Sequence, residues 1–560
     1  MLLCCLVCWL YLRQSRTSGV NSDAAAQVLQ GWDMLHGNPL LRGWFLSDVS
    51  FYTFEVPLDG LVALAHGLGP DTAHVTAAVI YTLLVACAAL LAKGRAHGRE
   101  GAVRALIAAG VLLAPGLTPG SQVLLLAPDH TGIGLPVLLT LLVIDRMSPE
   151  GSGEVVQPGR YRWWLPVAAC LLLVWAQVDD PVATFGCALP LALVGAARAA
   201  LARSGLWLDA GLAAAAVASY GAARLILAAI HAAGGFYVHG VASGFAPAAA
   251  IPRQLLWTGQ NVLYLFGANY WHVPPLQAAF GYVHLAGVAV ALCGLVLGAR
   301  ELFARLGSGD RITQTLTVGL LVTLVAGAFG TYMAPIQGAH EIAVVLPLGA
   351  VLGGRLIGPW LAGPWVAGPR PAAPRPAAPR STAPRFPGCA GADSRGAHSA
   401  HLGRARRSRA AVATVLALAG AGCAGMLGYN ASRPAQPAPA QDLAGWLARH
   451  GLTSGLAGYW EANATTLASG GAVRLAPLAD AGASAYPWNS KAAWYDPRVS
   501  SADFVVTVGY PPAQAFYAQS AVVGAVYGRP ARTYHFEQYT IMVYDYDLLL
   551  RVRQPAVGRG

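Results

Sequence analysis

Apolar runs dominate this chain, and most are close to the roughly 20 residues that cross a bilayer as a helix. They extend from Thr72 to Ala92, Ala105 to Leu126, Gly132 to Ile144, Trp163 to the pair Asp179-Asp180, and from there back to Arg198 and Arg203. Further runs cover Leu206 to Ile230, Ala278 to Leu297, Thr315 to Tyr332, a return segment ending at Arg355, and Ala410 to Leu427. Met1 to Leu12 is apolar but short, with neither the basic leader nor the cleavage pattern of a signal peptide. It is expected to be either the end of a first membrane helix that starts before Met1 or a shortened span of its own. The pattern predicts a polytopic α-helical membrane protein of about eleven spans.

Arginine orients these spans, because basic loops stay on the cytoplasmic side. Lys93, Arg95, Arg99 and Arg104 close the second span; Arg146, Arg160 and Arg162 close the fourth; Arg198 and Arg203 close the sixth. Arg300, Arg305 and Arg311 follow the eighth. The parity holds only if Leu255 to Tyr270, which contains Trp, Tyr and Asn, lies at the interface without crossing. Loops on the other side carry Asp129-His130, Asp179-Asp180 and His340-Glu341. The chain then divides into a multi-spanning part (1–357) with an external loop at 13–71, a Pro/Ala/Arg linker (358–409), a last span (410–429) and an external domain (440–560). The linker has no packing pattern and is expected to be disordered and cytoplasmic.

The C-terminal part changes period. Asp442 to His450 reads as a short helix stopped by Gly451. Val473-Arg474-Leu475, Phe504 to Val508 and Tyr539 to Tyr546 read as strands, so an α/β or α+β domain is expected. It is rich in aromatics: Tyr459, Trp460, Trp488, Trp494, Tyr495, Tyr517 and Tyr534. These form either a sugar- or peptide-binding platform or the core of the domain and its packing on the membrane part.

Composition agrees with a membrane protein. Of 560 residues 55% are hydrophobic and 11% charged, against about 25% charged in soluble domains. The net charge of +11 rests almost entirely on Arg, placed in the loops just described, so it is not a nucleic-acid footprint. Abundant Arg, Ala, Gly and Pro match a GC-rich bacterial genome. The nine cysteines lie in apolar spans or in segments placed inside, so no disulfide framework is expected outside.

Chemistry concentrates in the first external segment, which carries Asp23, Asp33, Asp48 and Glu55 beside the membrane. Ser22 and Asp23 are expected to cap a helix starting at Ala24 and ending near Gly37, with Ala26, Leu29 and Trp32 laid along the membrane surface. Carboxylates beside a bilayer are costly unless solvated, paired or functional. Two jobs fit: a general base for an acceptor hydroxyl, or a ligand for Mg²⁺ or Mn²⁺ holding a phosphate. Helix capping and solvated loop positions are the alternative. Asp129, His130, Asp180, His340 and Glu341 are helix-end residues that could complete such a site. Arg224, inside the seventh span, either binds a lipid phosphate or snorkels to the headgroups.

A short first span, then an external acidic residue and an interfacial helix, many further spans and a soluble external C-terminal domain: this layout resembles the GT-C glycosyltransferase superfamily. It is most similar to the protein-mannosyltransferase-like branch, which uses polyprenyl-phosphate sugars. The resemblance implies a catalytic base, or its positioning group, in the first external loop; Asp23 is the matching position, and metal use there is left open. This chain has Ser22-Asp23 where that branch often has an Asp-Glu pair. The implied function is transfer of a sugar from a polyprenyl-phosphate donor to an envelope acceptor at the outer face of the plasma membrane, with membrane lipids as partners. A catalytically silent envelope-assembly relative is the alternative. A transporter is disfavoured because neither an internal repeat nor paired broken helices are seen.

Overall fold

The computed structural model describes residues 2–117, 120–126, 130–147, 164–201, 206–240, 244–363, 394–437, 439–509 and 516–553. Asp129, Cys389 and most of the Pro/Ala/Arg linker lie outside the described residues. The chain opens with α1 (Leu2–Ser15) and α2 (Ser22–Leu35), then a short strand β1 (Trp44–Phe45), α3 (Glu55–His66) and α4 (Pro70–Lys93). It continues through α5 (Gly98–Leu112), α6 (Gly120–Leu125), α7 (Gly134–Met147), α8 (Trp164–Asp179), a π-helical turn at Thr184–Ala188, α9 (Leu189–Leu201) and α10 (Leu206–Ala232). α11 (Ile251–Leu265), α12 (Pro275–Arg305), α13 (Arg311–Phe329), α14 (Val345–Ala362) and α15 (Ser394–Ser432) complete the helical part.

Among the described residues, seven helices are long and apolar enough to cross a membrane. α1 and α8, at 14 and 16 residues, are shorter apolar helices, and α5 and α7, at 15 and 14 residues, pack among them. The protein is a multi-pass membrane protein. Gly338–Ala362 is the central span, 83% of its apolar window being buried, whereas Arg407–Ser432 is peripheral at 17%. Glycine makes the centre possible: a Cβ on Gly353 would lie 2.4 Å from Val290, and one on Gly354 would lie 2.6 Å from the Arg104 carbonyl. α12 and α5 therefore pack backbone-close on α14.

Three expectations change. The span at 105–126 is two helices, α5 and α6, separated by a loop through Ala114, Pro115 and Gly116, since Pro115 cannot continue the ladder. The linker is shorter than 358–409: α14 runs on to Ala362 and α15 already begins at Ser394, taking in Arg404, Arg406, Arg407 and Arg409. α2 does not lie along a membrane surface. Residues Ala24 to Gly31 are all buried between α3 and a helix of the C-terminal part. A Cβ on Gly31 would sit 2.4 Å from the Val56 carbonyl, so α2 and α3 touch backbone to backbone. The N-cap is Asn21, whose Oδ1 accepts from Ala24 N at 2.9 Å; Ser22 and Asp23 are freed for other contacts.

Loops expected inside gather at one end. Arg355 donates to Asp145 at 2.9 Å, Asp310 at 2.8 Å and the Leu91 carbonyl at 2.8 Å. Asp209 bridges Arg198 at 3.3 Å and Arg311 at 2.7 Å. These groups surround a polar cavity of about 680 Å³.

At the other end sits the C-terminal part: α16 (Pro439–Arg449), β2 (Ser454–Gly458), α17 (Tyr459–Ala468), β3 (Arg474–Ala479), β4 (Ser484–Ala485), β5 (Ser490–Lys491), β6 (Phe504–Val508), α18 (Ser520–Tyr527), β7 (Arg532–Phe536) and β8 (Tyr539–Val543). Six strands form one sheet in the order β4-β3-β2-β6-β8-β7, with β2 parallel to β3 and β6 and the other pairs antiparallel. Alternation divides the core: Phe504, Val506 and Val508 join Leu443 and Leu447 of α16 on one face, while Val505 joins Val523 of α18 on the other. β5 leaves this sheet to pair antiparallel with β1 of the first loop.

Candidate active site

The end of the bundle beneath the C-terminal part gathers carboxylates and imidazoles from several segments. Asp180 turns the chain after α8: its Oδ1 accepts from Val182 N at 2.8 Å, with Pro181 between. Its Oδ2 accepts from His130 Nδ1 at 2.7 Å. His130 takes the left-handed backbone conformation, φ +56°, and its ring stacks on His340 at 5.3 Å, nearly parallel. His340 Nε2 lies 3.5 Å, and His130 Nε2 4.0 Å, from the Glu341 carboxylate. Ile336, just before this segment, has φ +66°, strain for a β-branched residue of the kind that clusters at functional sites. Burial disfavours the charge on His130, but Asp180, Glu341 and Asp48 prevail and push it up to about 10.

Asp48 belongs to the same cluster. Burial raises its carboxyl above the ordinary range; His130 and His340 offset this in part, and Glu341 adds to it. Glu55, the first residue of α3, is buried against Gly132, and neither of its oxygens meets a donor. Burial, then the negative charges of Asp179 and Asp180, hold it well above its ordinary range. Asp179 is fixed by the amides of Thr53 and Phe54, both at 2.9 Å.

Asp23, in the first turn of α2, meets the C-terminal part. Its Oδ1 accepts from the Tyr459 hydroxyl and, at 3.5 Å, from Asn489 Nδ2, which also donates to the Tyr459 oxygen at 3.0 Å. Gln30 donates to Asn489 Oδ1 at 3.3 Å, and Asn463 donates to its carbonyl at 3.1 Å. The two groups of acids share a wall: burial and the charges of Asp23 and Asp48 push Tyr486 up to about 12. Trp488 continues that wall between Tyr486 at 6.1 Å and His239 at 5.3 Å.

Two expected site residues stand apart. Asp33 is taken up by a clamp: Lys491 at 3.0 Å, Trp44 Nε1 at 2.8 Å and Asn38 at 2.6 Å. It ties β5 to the first loop and faces no imidazole. Arg224 is exposed on α10, 5.4 Å over the Tyr220 ring, and with Asp48 and Ser50 lines a small cavity of about 40 Å³.

The structure is similar to two crystal structures of ArnT from Cupriavidus metallidurans. One, bound to undecaprenyl phosphate, shares 13% identity at a TM-score of 0.53 over 96% of each chain. The other, in the apo state, shares 14% at 0.54 over 96% of each chain. The chain shares the fold of these two structures. No family model and no curated protein matches its sequence.

The residues missed in the sequence are Tyr486 and Asn489 of the C-terminal part and His239, which follows α10. Tyr459 and Trp488 stand in the aromatic set of the C-terminal part, and they turn to the site. Tyr495 is buried in the sheet core, Trp494 packs edge-on to Trp44 at 5.5 Å, and Tyr534 packs on Trp446 at 5.5 Å. The core reading thus holds for Tyr495, Trp494 and Tyr534. His239, Tyr486 and Asn489 had no signal; they are distant in sequence from Asp23 and Asp48.

Proposed function

We propose that this chain is a membrane glycosyltransferase that moves a sugar from a polyprenyl-phosphate donor to an acceptor at the outer face of the plasma membrane. The observation that carries this reading is the convergence of Asp23, Asp48, His130, Asp180, His340 and Glu341 around one aromatic wall at one end of a GT-C fold. An ArnT of the same fold binds undecaprenyl phosphate, which supports the donor class. The arginine-rich end is cytoplasmic by the positive-inside rule, so the site and the C-terminal domain face outward.

Asp23 is the base. It accepts the acceptor hydroxyl's proton as that oxygen bonds to the anomeric carbon and the bond from that carbon to the phosphate oxygen breaks. Tyr459 and Asn489 hold its carboxylate in place. The released polyprenyl phosphate is an anion, and His130, whose charge Asp180 and Glu341 favour, supplies positive charge for it. His130 Nε2, His340 and Glu341 each offer one ligand atom, all within 4.8 Å. Two nitrogens and a carboxylate suit Zn²⁺ better than the all-oxygen shells of Mg²⁺ or Mn²⁺, with Asp180 on His130 Nδ1 as the supporting partner. Held there in place of the His130 Nε2 proton, a cation would neutralise charge on the leaving phosphate.

The test is transfer by purified wild type and Asp23→Asn from a panel of polyprenyl-phosphate sugars, with undecaprenyl phosphate binding measured alongside. A general base contributes about 10²–10⁴-fold, so Asp23→Asn loses about that factor and keeps lipid binding. Near-normal transfer by Asp23→Asn removes the base; transfer from no donor by the wild type leaves a silent relative.

A further inference from the structure

A second cavity lies away from this chemistry. Between α5, α12 and α15 runs an apolar slot of about 330 Å³, within the ligand-sized range of roughly 300–1,000 Å³. Its floor is Gly287 against Val111, where a Cβ on Gly287 would lie 3.4 Å from the Val111 side chain. Its walls include Gly110 and Gly420, and a Cβ on either would meet nothing within 4 Å. Those two glycines therefore keep space open rather than bring helices together. At its outer end His284 closes on Met426, Nε2 to Sδ at 3.3 Å. Along α5 the slot extends from Arg99 to Val111, about 18 Å at 1.5 Å per residue.

The two ends differ. The inner mouth is Arg99, exposed at the start of α5. Arg95 and Arg104 belong to the same stretch and line the polar cavity on its other side. Apart from His284 and Cys423 the rest of the slot is aliphatic, and Leu106 and Leu418 flank it at 70% and 67% exposure. A long apolar channel with a cation at its cytoplasmic mouth matches one chain of a lipid whose headgroup is an anion. We infer that this slot holds an acyl chain of an anionic phospholipid from the cytoplasmic leaflet, its phosphate at Arg99. It is the opposite end of the bundle from the proposed donor site, so the inference does not depend on the transfer reaction.

The test is native mass spectrometry of the delipidated full chain, titrated with phosphatidylglycerol or phosphatidylcholine of identical acyl chains. One phosphatidylglycerol is retained about fivefold more tightly than phosphatidylcholine, ~1 kcal/mol at 1.4 kcal/mol per tenfold, the contribution of one basic residue at an anionic surface. Arg99→Gln loses that preference but still takes up lipid. Gly420→Leu fills the slot and loses the bound lipid of either kind; Leu is a better helix former than Gly, so α15 remains intact. Equal retention of the two lipids by the wild type, or unchanged retention by Gly420→Leu, overturns the inference. So does one-for-one displacement of phosphatidylglycerol by undecaprenyl phosphate, which would assign the slot to the donor.

Discussion

Replacing Arg355 by Met tests how the inner end of the bundle is held. The guanidinium side chain is 7% exposed and donates to Asp145, itself 5% exposed, and to Asp310, 35% exposed. The two acids do not lose equally. Asp310 still caps α13, accepting from Thr313 N at 3.1 Å, and it reaches water. Asp145 is left as a buried carboxylate, and its Oδ2 already has no donor. Removing one partner of a buried pair costs about 3–5 kcal/mol, nearly all of it here through Asp145. Asp145→Asn together with Arg355→Met removes the stranded charge and should recover most of the loss. The assay is thermal unfolding in detergent micelles, scored by the fraction that elutes monodisperse after heating. An Arg355→Met protein that melts with the wild type refutes the argument, and so does a double variant no more stable than the single one.

Other outcomes follow from the site and the sheet. Tyr459→Phe removes the donor to Asp23 while Asn489 stays; a hydrogen bond to a charged group is worth about 1.5–3 kcal/mol, so transfer falls roughly tenfold or more with little change in thermal stability. Loss of stability without loss of transfer would count against it. Glu461 is buried, and burial pushes it up to about 8 from its ordinary 4.5. The folded state keeps the proton longer, so this stabilisation is complete below about pH 4.5 and is lost as pH rises to about 8, up to ~5 kcal/mol. Glu461→Gln should flatten that slope in thermal unfolding between those values, and an unchanged slope would exclude Glu461 as its source. His340→Ala should lower zinc retained after dialysis, measured by elemental analysis, whereas equal zinc in both proteins would dismiss the His130–His340–Glu341 centre. The eight described cysteines are free thiols, so electrophoresis with and without reductant should give one mobility.

The structure also shows where one-dimensional reasoning ends at the site. His130, Asp180, His340 and Glu341 were readable because each stands at a helix end on the side away from arginine, and such ends meet where the spans do. Asp33 shared the same segment and the same chemistry, yet Lys491, the lone lysine of the C-terminal part, claims it. Nothing in the loop's own sequence separates Asp33 from Asp48; the strand pair β1–β5 does.

The order of spans and three strands of the C-terminal sheet, β3, β6 and β8, were carried by the sequence alone. The first depends on hydropathy, which the bilayer reads segment by segment. Phe504 to Val508 is a strand in both sequence and structure, because its β-rich apolar run leaves no helical face. Tertiary structure alone decided that α2 is covered, that Asn21 takes the cap, and that Tyr459 reaches Asp23 across 436 residues of chain. These contacts depend on how the sheet docks on the bundle, and docking is decided by shape and by side-chain pairing between distant segments. Local propensity contains no term for either.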